Sequence, residues 1–133
     1  MNTNITLVSV LKKSAIAAGV SAAVNSVLYF IYTAMDIITG DIYIQPNVTM
    51  TIVPILISSI VPSILAALVL LGLSKFTKNP YRVFTILSVV LTVLSFYNPY
   101  TIPNVTNAYA IALNTMHIVV AGASVYFQKP ERA

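Results

Sequence analysis

Among the side chains of this sequence, His117 has the widest range of possible chemistry. It is the only histidine, and it lies in the middle of an apolar segment. An imidazole at such a position can relay protons, bind a ligand headgroup or respond to pH. It can equally be a neutral group that bonds to Asn25, Asn114 or a serine and holds helices in register. Both interpretations stay open, because a lone histidine lacks the carboxylate that proton pathways commonly use.

Six further polar residues are predicted to lie near the depth of His117, because each falls near the midpoint of an apolar segment. They are amides and hydroxyls, namely Asn25, Ser58, Ser59, Ser88, Thr92 and Asn114. An amide suits a polar ligand as well as a clasp between helices, and the clasp is favoured. Hydroxyls of the third segment could line a hydrated path, although such groups more often bond to their own helix. Pro62 has no N–H group, which predicts a kink in the second helix and a free carbonyl at this depth.

Enzymatic chemistry is the least favoured function. No catalytic, metal-binding or cofactor-binding motif stands out, and the lack of cysteine removes thiolate chemistry and disulfides. General acid–base catalysis needs a partner near His117, and the sequence offers no carboxylate, cysteine or second histidine at that depth. Asp36 and Asp41 follow the first apolar segment, where solvation is favoured over cation binding. The sequence therefore predicts no catalytic residue, no metal and no cofactor.

Membrane-spanning helices must position these residues. The chain is 58% hydrophobic and 8% charged, whereas a soluble domain carries about 25% charged residues. Four apolar segments are each long enough to cross a bilayer, at about residues 14–35, 50–73, 81–97 and 106–127. The first is too long for a secretory signal and is predicted to be an uncleaved span. We therefore expect an all-α fold, a polytopic antiparallel bundle of four transmembrane helices that forms a single domain over residues 1–133.

The cations predict the orientation of this bundle. They flank the apolar segments in three groups and are Lys12, Lys13, Lys75, Lys78, Arg82, Lys129 and Arg132. With four spans, all seven fall on one side, which the positive-inside rule assigns to the cytoplasm. The sequence thus predicts a multi-pass protein of the cell membrane with both termini inside, and the net charge of +4 reflects topology, not nucleic-acid binding.

Two further patterns concern helix faces and helix starts. Small residues four apart form predicted packing ridges, Ala15–Gly19–Ala23 in the first span and Ser59–Ser63–Ala67 in the second. Polar residues of the third span recur every three or four positions and predict its inner face, at Thr85, Ser88, Thr92 and Ser95. The tetrapeptide Pro-Asn-Val-Thr occurs at 46–49 and again at 103–106, before the second and fourth spans. It indicates either an ancient duplication or helix capping, and capping is favoured.

The chain resembles an uncharacterised family of small bacterial four-helix membrane proteins. The resemblance lies in Asn25, Pro62, the stretch Pro80–Phe84 and the pair Met116–His117. It implies the four-helix fold and supplies no activity. Small multidrug exporters fit poorly, because they use a glutamate in the first helix and no acid occurs there. Fluoride channels fit poorly as well, because their phenylalanine and arginine pattern is not found here.

Three hypotheses of function follow, and the membrane enzyme is the least favoured. The favoured hypothesis is non-enzymatic transport of a small molecule or ion, or ligand binding. Its cavity would be lined by Asn25, Ser59, Ser88, Asn114 and His117. Because four helices enclose little volume, we expect a homo-oligomer in the lipid bilayer. The alternative is a structural or accessory subunit, without a ligand, that packs against a membrane partner subunit.

Overall fold

The computed structural model describes residues 5–130 as a four-helix bundle with one short hairpin. The elements in chain order are α1 (Leu7–Ala34), β1 (Tyr43–Gln45), β2 (Val48–Thr49), α2 (Ile52–Phe76), α3 (Pro80–Ser95), a 3-10 turn (Asn98–Thr101) and α4 (Asn107–Phe127). Counting α3 together with the 3-10 turn, four helices of the described chain are long and apolar enough to span a membrane. The prediction of an α-helical, polytopic membrane fold is confirmed, and the antiparallel hairpin β1–β2 is an addition to it.

The first helix begins well before the first apolar segment. Thr6 caps α1, because its hydroxyl accepts a hydrogen bond of 3.1 Å from the backbone N–H of Ser9. Lys12 and Lys13 therefore lie inside the helix and not before it. Helix α1 begins seven residues before the predicted span, which starts at about residue 14, because apolar content marks the hydrocarbon layer whereas a capped helix continues into water.

Both ends of the described chain meet at one end of the bundle. The Gln128 side-chain N–H donates to the carbonyl of Val10 over 2.9 Å, and the Lys13 ammonium donates to the carbonyl of Lys129 over 3.2 Å. We call this the basic end, because it carries the described cations Lys12, Lys13, Lys75, Lys78, Arg82 and Lys129. Arg132 lies outside the described residues. The opposite end, with Asp36, Asp41 and the β1–β2 hairpin, is called the hairpin end.

Each end of the bundle has its own apolar core. The core of the hairpin end consists of Ile38, Ile42, Ile55, Tyr109, Leu113 and Met116. The core of the basic end consists of Val10, Ala67, Leu70 and Phe84. Between them lie polar side chains of α1 and α2 that are at most 2% exposed, namely Ser14, Ser21, Asn25, Ser59 and Ser63. Large apolar side chains instead cover the outer surface, as expected of a bundle that hydrocarbon surrounds.

Only one of the two predicted packing ridges faces the bundle. Ser59, Ser63 and Ala67 are buried, whereas Ala15, Gly19 and Ala23 are exposed, so the ridge predicted for the first span was wrong. The buried face of α1 is offset from that ridge and contains Ser14, Ala17, Ala18, Ser21 and Asn25. One residue corresponds to about 100° around a helix, so a neighbouring row of small residues can point into lipid.

The repeated tetrapeptide forms the same turn twice but caps a helix once. Asn47 and Asn104 both adopt a left-handed backbone conformation, with φ of 62° and 63°, directly after a proline. This suits the third position of a type II turn, where asparagine is tolerated. Thr106 caps α4 by accepting a 3.1 Å hydrogen bond from the N–H of Tyr109, while Thr49 lies in β2. The capping interpretation is confirmed for the second copy and wrong for the first.

Candidate ligand site

Asn25 connects three helices in the middle of the bundle. Its side chain is 2% exposed, and its amide N–H group donates to the Ser59 hydroxyl over 3.0 Å and to the Met116 carbonyl over 3.4 Å. Ser59 in turn donates to the carbonyl of Ile55 over 2.8 Å. This is the geometry of an interhelical clasp, because each side-chain donor of Asn25 and Ser59 points at a protein acceptor.

The polar column around Asn25 also contains acceptors without partners. Ser14 and Ser63 are bonded, to the carbonyls of Ser63 and Ser59, each over 2.8 Å. The hydroxyl oxygen of Ser21 and the side-chain oxygen of Asn25 are buried without a hydrogen-bond partner among residues 5–130. Such groups are costly in a low-dielectric interior. The column is therefore satisfied at the amide donors of Asn25 and unsatisfied at the Asn25 oxygen and the Ser21 hydroxyl.

Asn114 and His117 lie on the side of α4 that turns toward α3. The Asn114 amide donates to the carbonyl of Phe96 over 3.2 Å, which ties α4 to the end of α3. His117 is half-buried, and its Nδ1 atom has no hydrogen-bond partner within the described chain. The expected bond to Asn25, Asn114 or a serine is thus not formed at Nδ1. On α4, Asn25 bonds to the carbonyl of Met116, the residue before His117, and not to the imidazole Nδ1.

A groove of about 450 Å³ runs between α3 and α4, and we call it the α3–α4 groove. Its lining residues are Tyr81, Thr85, Ser88, Val89, Thr92, Val93, Ile118, Ala121, Gly122, Val125, Tyr126 and Lys129. Space for it comes from α4, where Ala121 and Gly122 present almost no side chain. Tyr81 lies at the basic end of the groove, where its hydroxyl donates to the Val125 carbonyl over 2.8 Å.

Three members of the hydroxyl row of α3, Thr85, Ser88 and Thr92, line this groove, and the row does not face the centre of the bundle. Its members are half-buried, while the buried residues of α3 are Pro80 and Phe84. Thr85 donates to the Tyr81 carbonyl over 2.9 Å, and Thr92 to the Ser88 carbonyl over 2.6 Å. These hydroxyls therefore bond back to their own helix, as the sequence had favoured, and the groove surface is left largely apolar.

Ser58 and Pro62 lie elsewhere, on the outer side of α2, and both are exposed. Ser58 contributes to a second pocket, of about 620 Å³, at the hairpin end. That pocket is lined by Ile44, Gln45, Asn47, Val48, Thr49, Thr51, Val53, Pro54, Ile57 and Ser58. Helix α2 continues through Pro62 from Ile52 to Phe76.

The predicted polar cluster is accordingly divided among several places. Asn25 and Ser59 form the clasp, Ser88 and Thr92 line the groove, Asn114 and His117 lie between the two, and Ser58 faces the hairpin end. Sequence reasoning missed Gly122, Tyr126 and Lys129 as groove residues. A signal was present, because two adjacent small residues, Ala121 and Gly122, interrupt the apolar surface of α4.

Comparison with known proteins gives a family but no activity. Neither a curated protein nor a solved structure matches the chain significantly. A family model does match, over residues 6–131, which is nearly the whole sequence. The expectation of an uncharacterised family is confirmed to that extent. The chain belongs to the family of unknown function DUF6069.

Proposed function

We propose that this protein is a non-enzymatic binding protein for a membrane amphiphile, and that the α3–α4 groove is its site. The observation that carries the proposal is the groove itself, which combines apolar walls with a polar, cationic opening at Tyr81, Tyr126 and Lys129. An amphiphile has the same distribution of polarity along its length.

The groove is open to the bilayer from the side. Val89, Val93 and Ile118 line it and are each more than half exposed, so a ligand dissolved in hydrocarbon can enter without crossing a protein barrier. Apolar walls alone give little selectivity, because lipid chains solvate a groove as well as a ligand chain does. Retention of one amphiphile must therefore depend on the fit of its chain beside Gly122 and on its headgroup.

His117 and Asn114 lie near the deep end of this groove and are not among the residues that line it. His117 precedes Ala121 by one helical turn, and its Nδ1 atom lacks a partner in the described chain. The Nδ1 atom is buried, so a ligand in the groove would reach it only after the surrounding side chains rearrange. A second copy of the chain would enlarge the site. We extend the proposal to transport of the amphiphile by such a homo-oligomer.

The test is to fill the groove. Gly122→Leu adds a side chain to the groove wall, and a Cβ at Gly122 meets no heavy atom within 4 Å, so the variant is compatible with the fold. Gly19→Leu is the matched control, because Gly19 is exposed on α1, meets equally open space and undergoes the same helical replacement.

The readout is phospholipid retained by the detergent-purified protein, measured by native mass spectrometry after incubation with equal amounts of phosphatidylcholine and phosphatidylglycerol. The wild type and Gly19→Leu should retain phospholipid, and Gly122→Leu should lose most of it. Equal retention by all three proteins would contradict the proposed function.

The second candidate is a structural or accessory subunit, and the clasp favours it. Asn25 has both of its amide hydrogens directed at Ser59 and Met116, so its donors require no ligand. A purely structural role predicts that Gly122→Leu changes nothing, and that Asn25→Ser lowers the thermal stability in detergent. The retention experiment therefore separates the two candidates.

The proposed setting is a bacterial cell membrane with both termini in the cytoplasm. Support comes from the basic end, where the two ends of the described chain meet and where its six described cations lie. Cations concentrate on cytoplasmic loops in multi-pass proteins. Asp36 and Asp41, at the hairpin end, would then face outward.

A further inference from the structure

We infer that the occupant of the α3–α4 groove is an acidic phospholipid of the leaflet at the basic end, an inference that rests on the proposed function. Three observations carry it: the charge at the opening of the groove, the depth of the groove and the nature of its walls. Each of them restricts the ligand in a different way.

The opening of the groove is positively charged. Lys129 lines it, and the ammonium of Lys13 lies beside Lys129, because it donates to the Lys129 carbonyl over 3.2 Å. The carboxylates of the described chain, Asp36 and Asp41, are at the hairpin end. Nothing in residues 5–130 neutralises the two ammonium groups at the opening. A ligand headgroup placed there is selected for negative charge.

The depth of the groove corresponds to one leaflet. Along α3 it extends from Tyr81 to Val93, which is about 18 Å at about 1.5 Å per residue. A hydrocarbon core of about 30 Å gives each leaflet about 15 Å. A lipid with its headgroup beside Lys129 therefore places its acyl chain against Val89, Val93 and Ile118, and ends near the middle of the bilayer.

The walls explain why charge decides among lipids. Thr85 and Thr92 use their hydroxyl hydrogens on their own helix, so they offer no donor to a ligand. Apart from the hydroxyl of Ser88, the remaining walls are apolar or small, and all phospholipids carry similar chains. The headgroup is consequently the feature that distinguishes one bilayer lipid from another at this site. A free soluble anion would make no use of the apolar part of the groove.

A tryptophan reporter tests the inference in bilayers. The sequence contains no tryptophan, so Ile118→Trp places a single fluorophore in the groove. Vesicles contain phosphatidylcholine and phosphatidylglycerol, with bromine on the chains of one or the other. The ratio of quenching by the two lipids gives their relative affinity at the groove. The wild-type background should prefer phosphatidylglycerol by about fivefold or more, the factor for one cation acting on an acidic headgroup.

Two lysine variants in this background separate a local from a general effect of charge. Lys129→Gln should lower the preference about fivefold. Lys75→Gln removes the same charge from the same end, outside the groove, and should leave the preference intact. Equal effects of the two variants, or no preference in the wild type, would overturn the acidic-lipid inference.

Two further outcomes distinguish this inference from the proposed function. Gly122→Leu could abolish phospholipid retention while the tryptophan reporter shows no headgroup preference. That result would refute the acidic-lipid inference and leave the proposed binding function intact. Indifference to Gly122→Leu would refute both. Loss of the preference on addition of millimolar inorganic phosphate would show a site for soluble anions, and would also contradict the inference.

Discussion

The hydrogen bond between Asn25 and Ser59 should be measurable as a coupling energy. Asn25→Ala removes two hydrogen bonds, leaves a small cavity and also removes an unpartnered buried oxygen, so its total effect mixes opposing terms. Ser59→Ala removes the acceptor of the shorter bond. In a double-mutant cycle the terms specific to each site cancel. Interhelical hydrogen bonds in membrane proteins average about 0.6 kcal/mol and reach about 1.7 kcal/mol, so the coupling should lie in that range.

The assay is unfolding in mixed detergent and dodecyl sulfate micelles, followed by circular dichroism. The matched control is the cycle of Asn25→Ala with Ser63→Ala. Ser63 is as buried as Ser59 and lies one turn along the same helix, but its hydroxyl donates to a backbone carbonyl. That cycle should be additive within about 0.3 kcal/mol. A coupling below about 0.3 kcal/mol for Asn25 with Ser59 would refute the clasp.

Two further predictions concern a helix cap and the topology. Thr106→Ala should lower the free energy of unfolding by about 1 kcal/mol, because it removes a capping hydrogen bond. Thr51→Ala should lower it by less than about 0.5 kcal/mol, because the Thr51 side chain makes no capping hydrogen bond. Equal costs in the same unfolding assay would contradict this. Because the sequence has no cysteine, Lys78→Cys and Thr101→Cys are clean probes. In intact cells a membrane-impermeant thiol reagent should label Thr101→Cys but not Lys78→Cys, and the reverse result would invert the proposed orientation.

The four helices could be predicted because a bilayer restricts the backbone so strongly. Peptide groups in hydrocarbon must bond within their own segment, so an apolar stretch of sufficient length has few alternatives to a helix. The ends of helices are decided by local bonds outside that rule. Thr6 starts α1 seven residues before the predicted span, and the hairpin of β1 and β2 is too short to give a strand signal.

The faces of the helices were harder to predict than their positions. In α1, the row with Ala15 and Gly19 and the row with Ser14 and Ala18 are both small, and composition does not rank them. The choice depends on what faces α1, here Ser59 and Ser63 of α2. A buried asparagine was the better guide, because an unpaired amide in lipid is costly.

Only part of the α3–α4 groove could be anticipated from the sequence, since Ser88 and Thr92 are the predicted site residues that line it. The spacing of Ser88 and Thr92 correctly placed both on one side of α3. It could not show that a groove separates α3 from α4 beside Ala121 and Gly122, because such a gap depends on the side chains of both helices. The polar residues were therefore assigned to one central cavity, whereas the structure separates a closed clasp from an open groove.

The unequal lengths of α1 and α3 make the protein sensitive to membrane thickness. Helix α1, with 28 residues, is about 42 Å long, while α3, with 16, is about 24 Å. Against a hydrocarbon layer of about 30 Å, only α3 falls short, and the 3-10 turn that follows it must make up the difference. Hydrophobic mismatch is met by local thinning or by tilt. As the bilayer thickens, α3 is therefore the first helix that is too short to span it, and lipid retention should fall as acyl chains lengthen.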